Sequence, residues 1–349
     1  MACSLRQRWV SRLFACTMNS RVSRCLAGWA AMVAASALLS SCSSVPILPA
    51  KMEAVAVSRA TGDFRARPKP NDVYGMGLAY ADHIKEAKQR ADPAGCFAKN
   101  CVPTHSGGVI HLPDRKMIAA TLNQVEPATA DEPGLGEEFL ERTEGKDFRH
   151  LLDYEAELAF VLLEDVDWKR IDAGDESYCP RMGFFVANDV SLRCIPPLAA
   201  KPTKADRYRY WGASKSFPDF LPASKQMWVP RSWDAGKIPD VVLTTEVNGK
   251  GRQKKSVTNL IYRPVDMLKN LKKAGVGEPG KGDWVLTGTP GGVALELNFM
   301  AKLAPVIPRW WRFSFLQGMD KGGASLYLHA GDHVKVSGGA LGSVSSTVQ

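Results

Sequence analysis

Several signals of common protein classes are missing from this sequence of 349 residues. After residue 41, no uncharged apolar run approaches the roughly 20 residues that a membrane-spanning helix requires. Lysine and arginine form no stripe interleaved with aromatic residues, so the formal net charge of +9 does not support nucleic-acid binding. The glycine-rich stretch Gly288–Gly292 lacks the spacing of a phosphate-binding loop or of a dinucleotide fingerprint, which excludes both motifs. No repeat of the solenoid or propeller type is present.

Cysteine is sparse after residue 42. Only four cysteines follow in the sequence: Cys96, Cys101, Cys179 and Cys194. None of them forms a CxxC pair or a zinc-type spacing with a histidine. An even number of cysteines in an oxidising compartment allows three complete pairings, and a disulfide could close the short loop between Cys96 and Cys101. We expect at most structural disulfides.

The first 41 residues have the layout of an export signal. Leu26–Leu39 is uncharged and mostly apolar, follows two arginines and precedes small residues. It ends in Leu-Ser-Ser-Cys42, which resembles the bacterial lipobox, so we predict cleavage after residue 41 and lipidation of Cys42. Met18 would make a more typical start than Met1. An uncleaved anchor, or a cysteine placed there by chance, is the alternative.

The predicted anchor sets the expected location. Ser43 follows Cys42 where a retention signal would resemble aspartate, so we expect a lipid-anchored protein of the cell envelope, in the outer membrane facing the periplasm if the organism has one. Residues 42–70 are rich in proline, alanine and serine and predict a tether. Residues 71–349 contain many short strand patterns and few helical ones, which predicts a β-rich α+β fold.

The most informative stretch is His150–Leu163, which predicts a strand that enters the core. Glu155 and Glu157 alternate with apolar residues, so both acids share one face, roughly 7 Å apart along the strand. Two carboxylates at that spacing can share one hard cation and are crowded without one. A solvated acidic face on an edge strand is the alternative.

Two other sets of polar residues could complete a site. Asp189 ends the apolar strand pattern 183–188, which makes it a plausible third oxygen ligand. His83 and Glu86 are three residues apart on a predicted helix, where a carboxylate can orient a histidine base. Neighbouring His and Glu residues are also common on protein surfaces, so this pair alone is weak evidence.

Taken in order, these motifs resemble the fumarylacetoacetate hydrolase family over residues 71–349. The segment Gly77–Glu86 is similar to the family's Gly-x-Asn-Tyr-x-x-His-x-x-Glu lid, and Asp153–Leu158 is similar to its metal-binding Asp-Tyr-Glu-x-Glu-Leu strand. Further motifs follow in the family's order: Asn188-Asp189-Val190-Ser191-x-Arg193, Lys215-Ser216-Phe217, Val247-Asn248-Gly249 and Thr287-Gly288-Thr289-Pro290-Gly291.

The resemblance implies a role for each matching residue. The implied metal ligands are Glu155, Glu157 and Asp189. His83 and Glu86 become the pair that activates water, Lys215 and Arg193 polarise or hold the substrate, and Thr289 lines the pocket. The implied fold is a mixed β-roll, usually dimeric, so we expect a homodimer. Departures from the family pattern at Ala79, Cys194 and Pro196 leave the substrate open.

Three carboxylates without a cysteine or histidine ligand suit Mg²⁺, our first choice, or Mn²⁺ or Ca²⁺. Such a cation can bind a 2-oxo acid and act as a Lewis acid on the enolate that forms when a C–C bond breaks. We therefore predict a metal-dependent hydrolase of acylpyruvate-type substrates. A decarboxylase or isomerase of a 2-oxo acid could use the same site, and a non-catalytic envelope lipoprotein could retain the fold.

The aromatic-basic segment Leu303–Leu316 separates the Thr-Gly-Thr-Pro motif from the terminal strands, and relatives usually have a shorter link here. Its tryptophans, phenylalanines and arginines suit a bilayer interface. Alternatively, the aromatic residues cap the fold or form a dimer contact.

Overall fold

The computed structural model describes residues 57–58, 62–87, 95–100, 108–200, 204–231, 238–294, 307–319 and 326–349. The predicted signal peptide, Cys42 and Cys101 lie outside these ranges. Within the described residues, every helix is too short or too polar to cross a membrane.

The described residues form strands and helices, which are named here in chain order. The strands are β1 (Val57–Ser58), β2 (Gly62–Ala66), β3 (Val73–Gly77), β4 (Gly95–Ala98), β5 (Gly108–Ile110), β6 (Leu152–Asp153), β7 (Ala156–Leu162), β8 (Met182–Asn188), β9 (Ser191–Leu192), β10 (Gln226–Pro230), β11 (Ile238–Pro239), β12 (Val242–Val247), β13 (Lys250–Ser256), β14 (Trp284–Leu286), β15 (His333–Ser337) and β16 (Ser343–Val348). The helices are α1 (Ala81–Ala87), α2 (Arg115–Val125), α3 (Leu135–Thr143), α4 (Trp168–Asp172), α5 (Lys204–Ser214), α6 (Pro264–Lys273) and α7 (Arg309–Met319). Short 3₁₀ turns lie at Pro196–Leu198, Val257–Asn259 and Gly339–Leu341.

The larger sheet has the order β2-β10-β8-β7-β14-β3-β4. Its central strands β7 and β8 are buried along their whole length, because both faces of each strand carry apolar side chains. The two strands pair antiparallel, with Ala156 opposite Asn188. β14 pairs antiparallel with β7 on the other side and parallel with β3. The strand that bears the acids therefore lies in the middle of the core.

The smaller sheet has the order β13-β12-β15-β16-β5. β15 and β16 alternate between buried and more exposed residues, as expected for a sheet with one face on the core. Asn248 and Gly249 both have positive φ in the turn between β12 and β13, which is the conformation that a two-residue hairpin turn of this type requires. The mixed, strand-rich architecture confirms the predicted α+β fold.

Two predicted boundaries change. β2 lies inside the predicted tether 42–70, yet all five of its residues pair with β10, so the folded part begins before residue 71. Its last three residues are exposed on the sheet edge, which explains its weak apolar periodicity. The predicted strand His150–Leu163 is interrupted at Tyr154 and Glu155: β6 pairs with β9, whereas β7 belongs to the larger sheet.

The part of the aromatic-basic segment that the structure describes begins at residue 307 and forms most of α7. Phe313 is buried, and Trp310 donates an indole hydrogen bond to Glu138. Trp311 and Phe315, four residues apart, are 64% and 48% exposed. The helix therefore caps the fold with one face and presents two aromatic side chains on the other.

Cys96, Cys179 and Cys194 are buried. Cys194 is a free thiol, so the disulfide pairings that include it do not form. Burial raises the pKa of this thiol.

Candidate metal centre

Three carboxylates come together where β7 begins and β8 ends. Glu155 precedes β7, Glu157 is its second residue, and Asp189 follows β8. The backbone N–H of Asp189 donates to the carbonyl of Glu155 at 2.9 Å, which continues the pairing of the two strands past their ends. One carboxylate oxygen from each residue lies within 4.8 Å of the others, and all three residues are buried.

Lys215 links two of these acids. It follows α5, and its ammonium donates to Glu155 Oε2 at 2.7 Å and to Asp189 Oδ2 at 2.6 Å. A third hydrogen bond, of 2.7 Å, goes to the hydroxyl of Ser191, so all three ammonium hydrogens have acceptors. Burial lowers the pKa of Lys215, but Asp189 and Glu155 outweigh this effect and raise it, so the side chain stays charged.

Two acids hold the guanidinium group of Arg193. Its Nε donates to Asp153 Oδ2 at 2.8 Å, and its Nη2 pairs with Glu155 Oε1. Asp153 also accepts the backbone N–H groups of Tyr154 and Ala294 at 2.9 Å each. The guanidinium is thus fixed in orientation beside the carboxylate trio.

Lys99 also belongs to this cluster, although sequence reasoning did not single it out. Its ammonium is fully buried and contacts Asp189 Oδ1 and the carbonyl of Phe220. The only local signal is one lysine directly after the apolar strand β4. Among the described residues, four buried carboxylates (Asp153, Glu155, Glu157 and Asp189) therefore face three buried cations (Lys99, Arg193 and Lys215), leaving an excess of negative charge.

The excess charge falls on Glu157. Burial is the largest factor that raises its pKa, and the charges of Asp189 and Glu155 raise it further, well above the ordinary value. Burial also raises the pKa of Glu155, but Lys215 and Arg193 outweigh it and lower the pKa to about 2. The three carboxylates can therefore be ionised together only if more positive charge is available, which a divalent cation would supply.

The Thr-Gly-Thr-Pro loop after β14 runs alongside the start of β7. Gly288 donates its N–H to Glu157 Oε2 at 2.9 Å, and the hydroxyl of Thr289 donates to the carbonyl of Ala156 at 3.0 Å. Gly288 has φ of +87°, and a Cβ there would lie 2.9 Å from the carbonyl oxygen of Met76. A glycine is therefore required for the loop to approach Glu157 this closely.

The predicted lid segment leads into α1. His83 is partly exposed and close enough to Glu155 to lower the pKa of that carboxyl. Tyr80 is buried, and its hydroxyl lies 3.2 Å from that of Thr287. The backbone of Glu86 lies in α1, and its side chain is outside the described part of the chain. The structure thus places the charge of His83 near one member of the trio, Glu155, and the contact between His83 and Glu86 stays a prediction.

The donor set suits a hard divalent cation, because it consists of buried carboxylates that carry more negative charge than their neighbours neutralise. Residues 72–349 match the sequence model of the domain described as fumarylacetoacetate (FAA) hydrolase C-terminal. The chain belongs to the fumarylacetoacetate hydrolase family.

Individual relatives match a smaller part of the chain than the family model does. A protein of Archaeoglobus fulgidus without an assigned function is 32% identical over 145 residues, which are 41% of this chain and 50% of that protein. Oxaloacetate tautomerase YcgM of Escherichia coli (strain K12) is 32% identical over 111 residues, 32% of this chain and 47% of its own length. The chain spans about half the length of the curated relatives that it matches.

A solved structure from Mycobacterium abscessus, a probable 2-hydroxyhepta-2,4-diene-1,7-dioate isomerase, has the same fold. It is 19% identical with a TM-score of 0.50 over 81% of this chain and 76% of the other.

Proposed function

We propose that this protein is a divalent-cation-dependent hydrolase that cleaves a C–C bond in a small 2-oxo acid of the acylpyruvate type. The observation that carries the proposal is the buried trio of Glu155, Glu157 and Asp189 beside Lys215 and Arg193. Mg²⁺ is our first choice of cation, with Mn²⁺ as an alternative of the same ligand preference.

When bound, the cation would supply Lewis-acid polarisation of the substrate's keto oxygen. Glu155, Glu157 and Asp189 would hold it, and the backbone N–H of Gly288 orients Glu157 for that role.

The residues around the trio would perform the remaining steps. Lys215, kept protonated by Asp189 and Glu155, attracts the anionic substrate and stabilises negative charge that develops on its oxygen. Arg193 assists through its fixed positive charge. His83 takes a proton from the attacking water, with Glu86 as its partner on α1. Water adds to the distal carbonyl, the C–C bond then breaks with its electron pair going to the enolate of the 2-oxo acid, and the enolate carbon takes up the proton that came from water, so the products are two acids.

A second candidate is the isomerisation of a 2-oxo acid. The similarity to the E. coli oxaloacetate tautomerase supports this function. The reaction requires proton transfer at carbon and no attacking water. The carboxylate trio, Lys215 and Arg193 would serve both reactions, whereas the water-activating role of His83 belongs to hydrolysis alone.

The test is to incubate the purified protein with acylpyruvates, oxaloacetate and related 2-oxo acids in the presence of Mg²⁺ or Mn²⁺. Hydrolysis releases a second carboxylic acid, whereas tautomerisation changes the enol absorbance without a new acid. A decarboxylase would release CO₂. No turnover and no cation binding would support a non-catalytic envelope protein instead. Against that outcome stands the cost of burying carboxylates that the fold does not fully neutralise.

We also propose that the protein is a homodimer anchored in the cell envelope through a lipid on Cys42. Size-exclusion chromatography with light scattering tests the dimer, and a mass of one chain would contradict it.

A further inference from the structure

The side chain of Gln253 is a buried amide that connects the smaller sheet to the candidate metal centre. Gln253 lies on β13 and is 3% exposed. Its Oε1 accepts the backbone N–H of Ala156 at 3.0 Å and the hydroxyl of Thr245 at 2.7 Å. Its Nε2 donates to the hydroxyl of Thr289 at 3.0 Å and to the carbonyl of Pro290 at 3.2 Å.

These bonds fix the orientation of the amide. The oxygen faces two donors and the nitrogen faces two acceptors, so each polar atom is paired with its complement. A flipped amide would place its NH₂ against the N–H of Ala156 and its oxygen against the carbonyl of Pro290. The observed orientation is therefore specified by the surrounding groups and is rigid.

The partners of Gln253 belong to the two segments that set the position of the acids. Ala156 lies between Glu155 and Glu157, so a bond to its N–H holds the backbone that carries both carboxylates. Thr289 follows Gly288, whose N–H donates to Glu157. The same amide thus joins the strand that bears two carboxylates to the loop that orients one of them.

The neighbouring backbone N–H is held in a similar way. The N–H of Glu155 donates to the side-chain oxygen of Asn188 at 3.0 Å. Two side-chain amides therefore satisfy consecutive N–H groups where the strand at 150–163 is interrupted. Without Gln253, the N–H of Ala156 would be buried without its partner, and the peptide between Glu155 and Ala156 would keep only the bond from the N–H of Asp189 to its carbonyl.

We propose that Gln253 is a positioning residue of the cation site, which sets the separation of Glu155 and Glu157 by tying Ala156 to Thr289. This inference rests on the proposed function, because it concerns the affinity of the same site for its cation. Removing a side chain that orients metal ligands typically lowers metal affinity 10- to 100-fold.

The experiment compares Gln253→Met, which keeps the length of the side chain and removes its hydrogen bonds, with a control of similar destabilising effect. Leu268→Ala is suitable, because Leu268 is fully buried on α6 and takes no part in the cation site. Mn²⁺ is titrated into each full-length protein well below its melting temperature. Electron paramagnetic resonance measures the signal of free Mn²⁺, and its decrease on binding gives the Kd. The spectrum of the bound Mn²⁺ reports on the groups around the ion.

We expect Gln253→Met to raise the Kd for Mn²⁺ by roughly 10- to 100-fold and to change the bound-ion spectrum. Leu268→Ala should lower the melting temperature and leave both quantities at their wild-type values. A wild-type Kd and spectrum for folded Gln253→Met, or an equal loss of affinity in Leu268→Ala, would overturn the positioning role alone. A wild-type protein that binds no Mn²⁺ would overturn the proposed function and this inference with it.

Discussion

Glu155 and Glu157 are two residues apart, yet their carboxylates have opposite electrostatic surroundings. Glu155 is paired with Lys215 and Arg193, whereas Glu157 accepts one backbone hydrogen bond and faces two other acids. Their contributions to stability and to cation binding should therefore be separable. We expect Glu155 to contribute to both, and Glu157 to contribute to cation binding at some cost to stability.

We expect the metal-free variants Glu155→Gln and Glu157→Gln to differ in stability. Glu155→Gln leaves two buried cations short of a partner and should lower the free energy of unfolding by roughly 3 kcal/mol. Glu157→Gln removes a carboxyl that must either take up a proton or stay buried without a neutralising partner, and it retains an acceptor for Gly288, so the free energy of unfolding should stay the same or rise by about 1 kcal/mol.

Urea unfolding in EDTA measures these differences in the free energy of unfolding. In a separate calorimetric titration without EDTA, neither variant should bind Mg²⁺. Equal losses of stability would mean that the two acids share their neutralising partners. Unchanged Mg²⁺ affinity of Glu157→Gln would contradict the ligand assignment.

At this scale, the sequence predicts the residues whose chemistry depends on local spacing. The alternation placed Glu155 and Glu157 on one face, the strand end made Asp189 a plausible third ligand, and the family resemblance implied that the three acids belong to one site. Lys99 and Gln253 could not be found in the same way, because their partners lie far away in sequence and nothing near them marks this lysine or this amide as special. The role of Gln253 follows from how β13 of the smaller sheet meets β7, and that of Lys99 from its contact with Asp189 beyond the end of β8.

At the scale of elements, the Thr-Gly-Thr-Pro loop directly after β14 depends on the backbone conformation of Gly288. We expect Gly288→Ala to lower the free energy of unfolding by about 2 kcal/mol, because the residue has positive φ and the new Cβ would meet the carbonyl of Met76. Gly280→Ala is the matched control, since a Cβ there would meet nothing within 4 Å. Thermal unfolding of both variants is the measurement, and similar melting temperatures would show that the loop can adjust.

The two faces of α7 call for separate variants. Trp310→Ala should lower the free energy of unfolding by about 2 kcal/mol, because the ring packs under Arg142 at 4.8 Å and bonds to Glu138. Trp311→Ala should leave it unchanged, since that side chain is mostly exposed.

Vesicle sedimentation of a chain that begins at residue 43 then tests the bilayer hypothesis. We expect Trp311→Ala and Phe315→Ala to reduce binding to vesicles that contain anionic lipid. Binding equal to that of the parent protein would mean that these aromatic residues have no role at a membrane.

The sequence predicted some element boundaries well and others poorly. The start of α6 can be located from the sequence, because the fixed φ of Pro264 suits the first turn of a helix. β2 was missed because its exposed side chains give no apolar alternation, and its existence depends on pairing with β10. The interruption at Tyr154 was also missed, since the alternation of polar and apolar residues continues through it.

At the scale of the whole molecule, the anchor prediction concerns residues outside the described ranges and rests on the sequence alone. We expect Cys42→Ser to accumulate as an unprocessed precursor that does not incorporate a fatty-acid analogue, because the lipid is attached to this thiol. Metabolic labelling followed by gel analysis is the measurement. Label that persists in the variant would place the modification elsewhere.

Strand pairing in both sheets joins distant parts of the chain, which bears on how the protein folds. β3 lies parallel to β14, with Val73 beside Trp284, and β5 lies parallel to β16, with Ile110 beside Val348. The larger sheet cannot be completed until β14 at residues 284–286 is present, and the smaller sheet needs β16 at residues 343–348; such non-local pairing makes folding slow. If the chain is exported as the leader predicts, slow folding is an advantage, because a chain that has not yet formed its sheets can still be threaded across the membrane.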